Sequence, residues 1–515
     1  MSWTRREVLK TFAAGAGALA VPVRGFAAAE PDLVLRLVAA PARLAIRPGS
    51  ETRGMRYTGE VLRGRGDALR AAPGNLGPTL DLRRGERVRI QVVNRTGEPT
   101  VIHWHGMIVP DTADGHPHQA VRPGDSYTVE FTVRNRAGTY LYHPHPHRIS
   151  GRQTYFGLAG LLVVREPLER DTGLPGPQHE LELVLQDRRI AADNQLVFKR
   201  GMMDDMNGVL GDRVLVSGID DAAFKVAPRA YRVRIANVSN ARVYKLAWSD
   251  DRPLRVVAAD GGLFTRDEGV QELPYLTLFP FERVELVEDF GARRAGAELA
   301  LVSRAFAGMD MMGSMMGEGG GMMGGMMGRG MMGGGGMMGG MMGPSQGEEL
   351  HVARFTVSPG ARSRAERVSL PQADSGPREG KHELRTQLAF RHMRGFLNGR
   401  RFDDDDMMAV ADDEWLPVGE ASVWTFDNDG PGMPMAHPIH IHGVQFRVIE
   451  RSRAAVPADL REGVLRVGAK DTFAIFAGER VRVQIAPQVA GLFMYHCHNL
   501  EHEDGGMMRN VLFKA

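Results

Sequence analysis

The chain has 515 residues, 43% of them hydrophobic, enough for about three domains with sizeable cores. Its formal net charge of +2, which falls to −1 once a basic leader is set aside, gives no footprint for nucleic-acid binding. A single cysteine, Cys497, excludes an internal disulfide, and no apolar run is long enough to span a membrane.

The first element is the leader. Thr4-Arg5-Arg6-Glu7-Val8-Leu9-Lys10 is a twin-arginine pattern, followed by a mildly apolar stretch from Thr11 to Val23. Ala27-Ala28-Ala29 then offers a small-residue cleavage site, so residues 1–29 are expected to be a signal peptide that directs the chain to the periplasm. In an oxidising compartment a lone thiol is a liability unless it is buried or ligated.

Period-two alternation of apolar residues predicts strands from residue 30 onward. In the first segment, 30–165, a strand from Arg87 runs into Asn94, and His103 and His105 stand in HWHG. A charged turn with alternating apolar residues follows as RPGDSYTVEF (122–131), and a Gly-led strand, GTYLYHPH (138–145), ends on His143 and His145. His116, His118 and His147 are expected in solvated loops.

The middle segment, 166–360, repeats these parts without the histidines. Tyr231 runs to Asn237, the charged turn reads FPFERVELVE (279–288), and GAELAL (296–301) places Leu301 where the first copy has His143. Between the strands at Leu299–Phe306 and Glu349–Thr356 lies a tract, 309–343, holding fifteen of the 29 methionines with glycine between them. It has no Leu, Ile, Val or Phe, so it is not core. Thioethers are soft and select Cu(I), so the tract is expected to recruit that ion.

Residues 361–385 are polar with Gly, Pro and Ser and suit a linker. The third segment, 386–515, carries the strand Ser422 to Asn428, the turn FAGERVRVQI (476–485) and the strand GLFMYHCH (491–498). His437 precedes HIHG, which holds His440 and His442; His496-Cys497-His498 is followed by His502, Glu503 and Met507. The chain therefore reads as three related all-β modules of short strands, sandwiches or barrels of Greek-key type, with metal chemistry in the outer two.

Four His-x-His pairs carry that chemistry. On a strand, residues i and i+2 share a face, so each pair presents two imidazoles together while the residue between points away. Cys497 with His437, His502 and Met507 makes a His2Cys set plus a thioether, the ligand set of blue copper. Its flanking histidines face other metal ions, so one strand is a short covalent path for electrons.

These motifs resemble the three-domain bacterial multicopper oxidases of the laccase and periplasmic copper-oxidase type, over nearly all of the chain after the leader. The resemblance implies three cupredoxin domains, four copper ions and an enzyme that couples oxidation of a reductant to reduction of dioxygen to water. It implies that His437, Cys497, His502 and Met507 bind type 1 copper and that His103 and His440 bind type 2 copper. It further implies that His105, His143, His145, His442, His496 and His498 bind the type 3 pair. Acidic residues at the positions of Asp114 and Glu503 are assigned to proton supply in those relatives; either could instead orient a ligand imidazole.

The expected reductants are Cu(I) and small phenolic or aromatic donors, with a role in copper tolerance, and the chain is expected to act as a monomer with no membrane or nucleic-acid partner. A general laccase without that role and a periplasmic copper-sequestering protein are the alternatives. Storage alone needs no dioxygen site, and a copper nitrite reductase needs no type 3 histidines.

Overall fold

A computed structural model describes residues 30–72, 74–307, 345–363, 367–373, 378–404, 406–452 and 458–515. The expected signal peptide and the methionine-rich tract 309–343 lie outside the described residues. The protein is all-β: among the described residues the strands pair into six sheets, two for each repeat in the sequence. Among the described residues no helix is long and apolar enough to cross a membrane.

In the first pair of sheets, a four-stranded sheet around Leu33–Leu44 and Arg87–Asn94 shares a core with a five-stranded sheet around Gly138–Pro144 and Gly160–Arg165. Leu35, Leu82, Val88, Tyr140 and Leu162 meet there. Leu183, Val233, Trp248, Leu286 and Phe355 form the corresponding middle core, and Leu388, Trp424, Ile439, Val483 and Tyr495 the third. Alternation of apolar residues puts one side chain in two into these cores, which is why the period was readable.

The repeated motifs have one topological meaning. The strand that runs into Asn lies parallel to the first strand of its module: Leu33–Ala39 beside Val88–Asn94, Glu180–Leu185 beside Arg232–Asn237, and Glu383–Gln387 beside Val423–Asp427. On its other edge it is antiparallel to the strand after the charged turn. The asparagine then pins the connecting loops with its amide. Asn94 Nδ2 donates to the carbonyls of Glu98 and Val121, Asn237 Nδ2 to those of Arg242 and Leu278, and Asn428 Nδ2 to those of Met435 and Phe476.

One boundary differs from expectation. The strand Arg378–Arg391 begins inside the segment expected to be linker through residue 385. Its opening residues, Arg378–Glu383, carry no apolar side chain, and the stretch is held by backbone pairing to Glu420–Val423, with an irregularity between Glu379 and Glu383. Composition alone therefore reads it as a loop.

Candidate metal centres

The histidine-bearing strands are neighbours. His103 sits opposite His143, and His440 sits opposite His496, with Ile439 opposite Cys497. The eight imidazoles of the four His-x-His pairs converge, four from the first module and four from the third, and all are buried.

The two members of a pair do not serve one centre. His105 Nδ1 lies 3.3 Å from His143 Nε2 and 3.2 Å from His498 Nε2. His496 Nε2 lies 3.4 Å from His145 Nε2 and 3.0 Å from His442 Nε2. His103 Nε2 and His440 Nε2 stand 3.2 Å apart. The cluster thus divides into two triads and a pair.

The opposite nitrogens fix the tautomers, because a carbonyl oxygen can only accept. Nδ1 of His103 donates to the Asp114 carbonyl at 2.7 Å, and Nδ1 of His440 to the Asp471 carbonyl at 2.8 Å. Nδ1 of His143 donates to the Pro144 carbonyl at 3.1 Å and Nδ1 of His496 to that of Cys497 at 3.2 Å. His442 Nδ1 meets Asp114 Oδ2 at 2.7 Å. Bare nitrogens are left facing one another. Burial pushes every one of these imidazoles below its ordinary pKa, so they are neutral. Lone pair to lone pair contact gains nothing unless a cation stands between the nitrogens, so this donor set fits a metal ion.

A second set lies on the other face of the Gly491–Cys497 strand. Cys497 Sγ is 3.5 Å from Nδ1 of His437 and 3.5 Å from Nδ1 of His502. Met507 is fully buried in the same core as Cys497, and its main-chain carbonyl accepts from the Cys497 N–H at 3.0 Å. Its thioether is closed in by Gly395, where a Cβ would stand 2.3 Å from Sδ. Phe390 packs 4.8 Å from the His502 ring. Burial pushes the Cys497 thiol up, so its thiolate needs a cation beside it; two imidazoles, a thiol and a thioether fit copper.

Both acidic candidates reach the cluster. Asp114 bridges His103 and His442, as above, and burial raises its carboxyl well above the usual range, with Asp111 adding to the shift. Glu503 Oε2 lies 3.3 Å from His496 Nδ1 and 3.8 Å from His498 Nδ1, and Oε1 lies 3.7 Å from His145 Nε2. Burial raises Glu503 strongly too, with Asp504 next in effect.

Sequence reasoning missed Asp471, Thr472, Phe281 and Arg283. Asp471 Oδ1 is 3.0 Å from His105 Nε2 and Thr472 Oγ1 is 3.1 Å from it. Phe281 stacks on His498 with ring centroids 3.7 Å apart. The available signal was a charged pair, Lys470-Asp471, entering the apolar strand Thr472–Ile475; Arg283 lay in a repeat with no His-x-His pair. His116, expected in a solvated loop, is buried and holds Asn510 Oδ1 through Nε2 at 2.9 Å, while His118 Nδ1 is 2.7 Å from His116 Nδ1. His147 pairs with Asp403 at 2.7 Å.

An all-β protein with a buried imidazole cluster beside a His2Cys-thioether set is a redox metalloprotein. Two segments, residues 70–169 and 376–515, match family models described as multicopper oxidase. The chain is 28% identical to "multicopper oxidase mco" of Staphylococcus haemolyticus over 85% of its length and 81% of that protein's. It is 30% identical to a laccase of Haloferax volcanii over 79% of its length and 66% of that protein's. Among solved structures it is similar to the McoA multicopper oxidase from the hyperthermophile Aquifex aeolicus, with a TM-score of 0.74 and 27% identity, covering 94% of this chain and 97% of that one. The chain belongs to the multicopper oxidases and is an oxidoreductase; the family implies copper as its cofactor.

Proposed function

We propose that this protein is a cuprous oxidase, oxidising Cu(I) by preference and phenolic or aromatic donors as well, and reducing dioxygen to water. His437, Cys497, His502 and Met507 hold a type 1 copper, His103 and His440 a type 2 copper, and the two imidazole triads a type 3 pair. Bound there, copper supplies the one-electron steps that join a one-electron reductant to the four-electron reduction of dioxygen. The exported chain serves copper tolerance in the periplasm, a reading supported by the twin-arginine leader and the methionine-rich tract.

The observation that carries the Cu(I) preference is a cavity of about 30 Å3 beside His502, lined by Met206, Met435 and Gln346 among others. A space that narrow suits an ion better than an aromatic ring. Two methionines line it. Gln346 stands just after the methionine-rich tract and is tied down: its Oε1 accepts from the Val243 N–H at 3.1 Å and its Nε2 donates to the Ala241 carbonyl at 2.8 Å.

The chain's own groups then divide the work. Cys497, between His496 and His498, is the covalent route from the His2Cys set to the cluster. Asp114 at Oδ1 and Glu503 at Oε2 hold the protons that dioxygen reduction consumes, each within reach of a cluster imidazole. Oxygen uptake by copper-loaded protein with Cu(I) and with a phenol, side by side, tests the reading. A clearly higher kcat/KM for Cu(I) is expected; a higher value for the phenol returns the protein to a general laccase, and no uptake with either leaves copper sequestration.

A further inference from the structure

The middle module holds none of the ligands assigned above, yet it packs Phe281 on His498 and grips the cluster through Arg283. Arg283 is fully buried, and its five N–H donors each have an acceptor. Nε donates to the Thr139 carbonyl at 3.3 Å, on the strand that carries His143. Nη1 donates to the Phe281 carbonyl at 2.9 Å and to Asp471 Oδ1 at 2.7 Å. Nη2 donates to the Asp260 carbonyl at 2.9 Å and to Asp471 Oδ2 at 2.5 Å. The guanidinium is thus a two-pronged clamp on one carboxylate, a geometry that fixes the plane of the acceptor. The residue before Asp471 is held from the same module, with Lys470 Nζ 2.8 Å from Asp260 Oδ2 and 3.1 Å from Glu282 Oε1.

Asp471 in turn faces His105. Its Oδ1 accepts from Thr472 Oγ1 at 2.9 Å and stands 3.0 Å from His105 Nε2. With an acceptor there, His105 carries its proton on Nε2 and turns a bare Nδ1 to His143 and His498. The other five triad members turn Nε2 inward, so His105 is the one whose working nitrogen is reversed. Its pair partner two residues earlier, His103, is held the ordinary way by a main-chain carbonyl.

We propose that Arg283 is a positioning residue: through Asp471 it selects the His105 tautomer and keeps Nδ1 aimed at the first triad. The middle module is then needed for the dioxygen site although it supplies no ligand. Orienting partners of metal ligands cost about 10- to 100-fold in metal affinity or activity when removed. The inference rests on the copper assignments proposed above.

The test uses full-length, copper-loaded protein and the variants Arg283→Gln, Arg283→Lys and Asp471→Asn. Copper per chain, the electron paramagnetic resonance spectrum and the blue absorption are read together with oxygen uptake. In Arg283→Gln the blue absorption is expected to stay, while the triad loses copper or the type 2 signal shifts, and oxygen uptake falls by about 10- to 100-fold. Arg283→Lys, which keeps a cation on Asp471, should fall between that variant and the parent. An Arg283→Gln protein with the parent's copper content and spectrum overturns the proposal. Should Arg283→Gln not fold, Asp471→Asn decides: its amide can offer N–H to His105 Nε2 and force the other tautomer, so a folded variant with the parent's signals also overturns it. A parent that binds no copper fails the multicopper assignment instead, which separates the two.

Discussion

Nε2 of His502 donates to the main-chain carbonyl of Met206 at 2.8 Å, so the outer edge of a proposed type 1 ligand meets a peptide group rather than solvent. Met206 lies in the last turn of a short helix, Met202–Asn207, whose sequence MMDDMN offers thioethers and carboxylates together. The helix is fastened: Arg189 pairs with Asp204, Asn499 Nδ2 donates to the Asn207 carbonyl at 3.1 Å, and the Val209 N–H donates to Glu501 Oε2 at 2.8 Å. Under the proposed function electrons would arrive through this cover, and what it admits would decide which reductants work.

The first prediction follows from that cover. Met206→Leu combined with Met435→Leu should raise KM for Cu(I) several-fold with kcat and the blue absorption unchanged. The swap keeps volume, so it should cost less than about 1.5 kcal/mol in stability. It removes both thioethers from the cavity but leaves the Met206 carbonyl on His502. Steady-state oxygen uptake against Cu(I) is the measurement, and an unaltered KM would remove these sulfurs from substrate binding.

Cys497→Ser should abolish both the blue colour and all turnover. A hydroxyl supplies neither the soft thiolate that the His437 and His502 nitrogens flank at 3.5 Å nor the link toward His496 and His498. A variant that remains blue would refute the type 1 assignment.

Asp114→Asn should leave the blue copper reducible by substrate and slow its reoxidation by dioxygen strongly. Asp114 touches His103 and His442 and lies on the cluster side, away from His502, so its loss acts on protons and imidazole orientation there. Stopped-flow absorbance separates the two half-reactions. Slow reduction with normal reoxidation would contradict the role.

These residues were legible in different degrees for physical reasons. Ligands on strands announce themselves because the His-x-His spacing is local: His496, Cys497 and His498 are read from three consecutive letters. The all-β class was equally open, since inward residues such as Val88, Val233 and Val483 recur with the strand period. The assignment of each imidazole to a triad was not, because His105 meets His498 across 393 positions of chain. Arg283 and Asp471 were invisible for the same reason, 188 positions apart in modules that sequence reasoning treated as separate. The strand opening at Arg378 was hidden by polarity, as its pairing is made by backbone alone.

The last prediction concerns the methionine-rich tract. Deleting Met309 to Gly343 should raise KM for Cu(I) while leaving phenol oxidation intact or faster. The join is short: the Phe306 N–H already donates to the Gly347 carbonyl at 3.0 Å, so Gly308 and Pro344 can close a turn between residues that are hydrogen-bonded. The flanking strands Glu298–Ser303 and Leu350–Val357 pair with each other and belong to the module without ligands, so the copper centres should survive. Little stability should be lost, since loop length enters closure entropy only logarithmically and the tract has no aliphatic or aromatic core residue. What goes is fifteen thioethers, the largest store of soft ligand in the chain, in a tract that ends in sequence three residues before Gln346, which lines the His502 cavity. Phenols gain nothing from thioethers, so their oxidation should not suffer. Oxygen uptake by the full-length and deleted proteins, with Cu(I) and with a phenol, is the measurement. Identical Cu(I) kinetics in the two would make the tract an inert insertion and leave the Cu(I) preference to Met206 and Met435 alone.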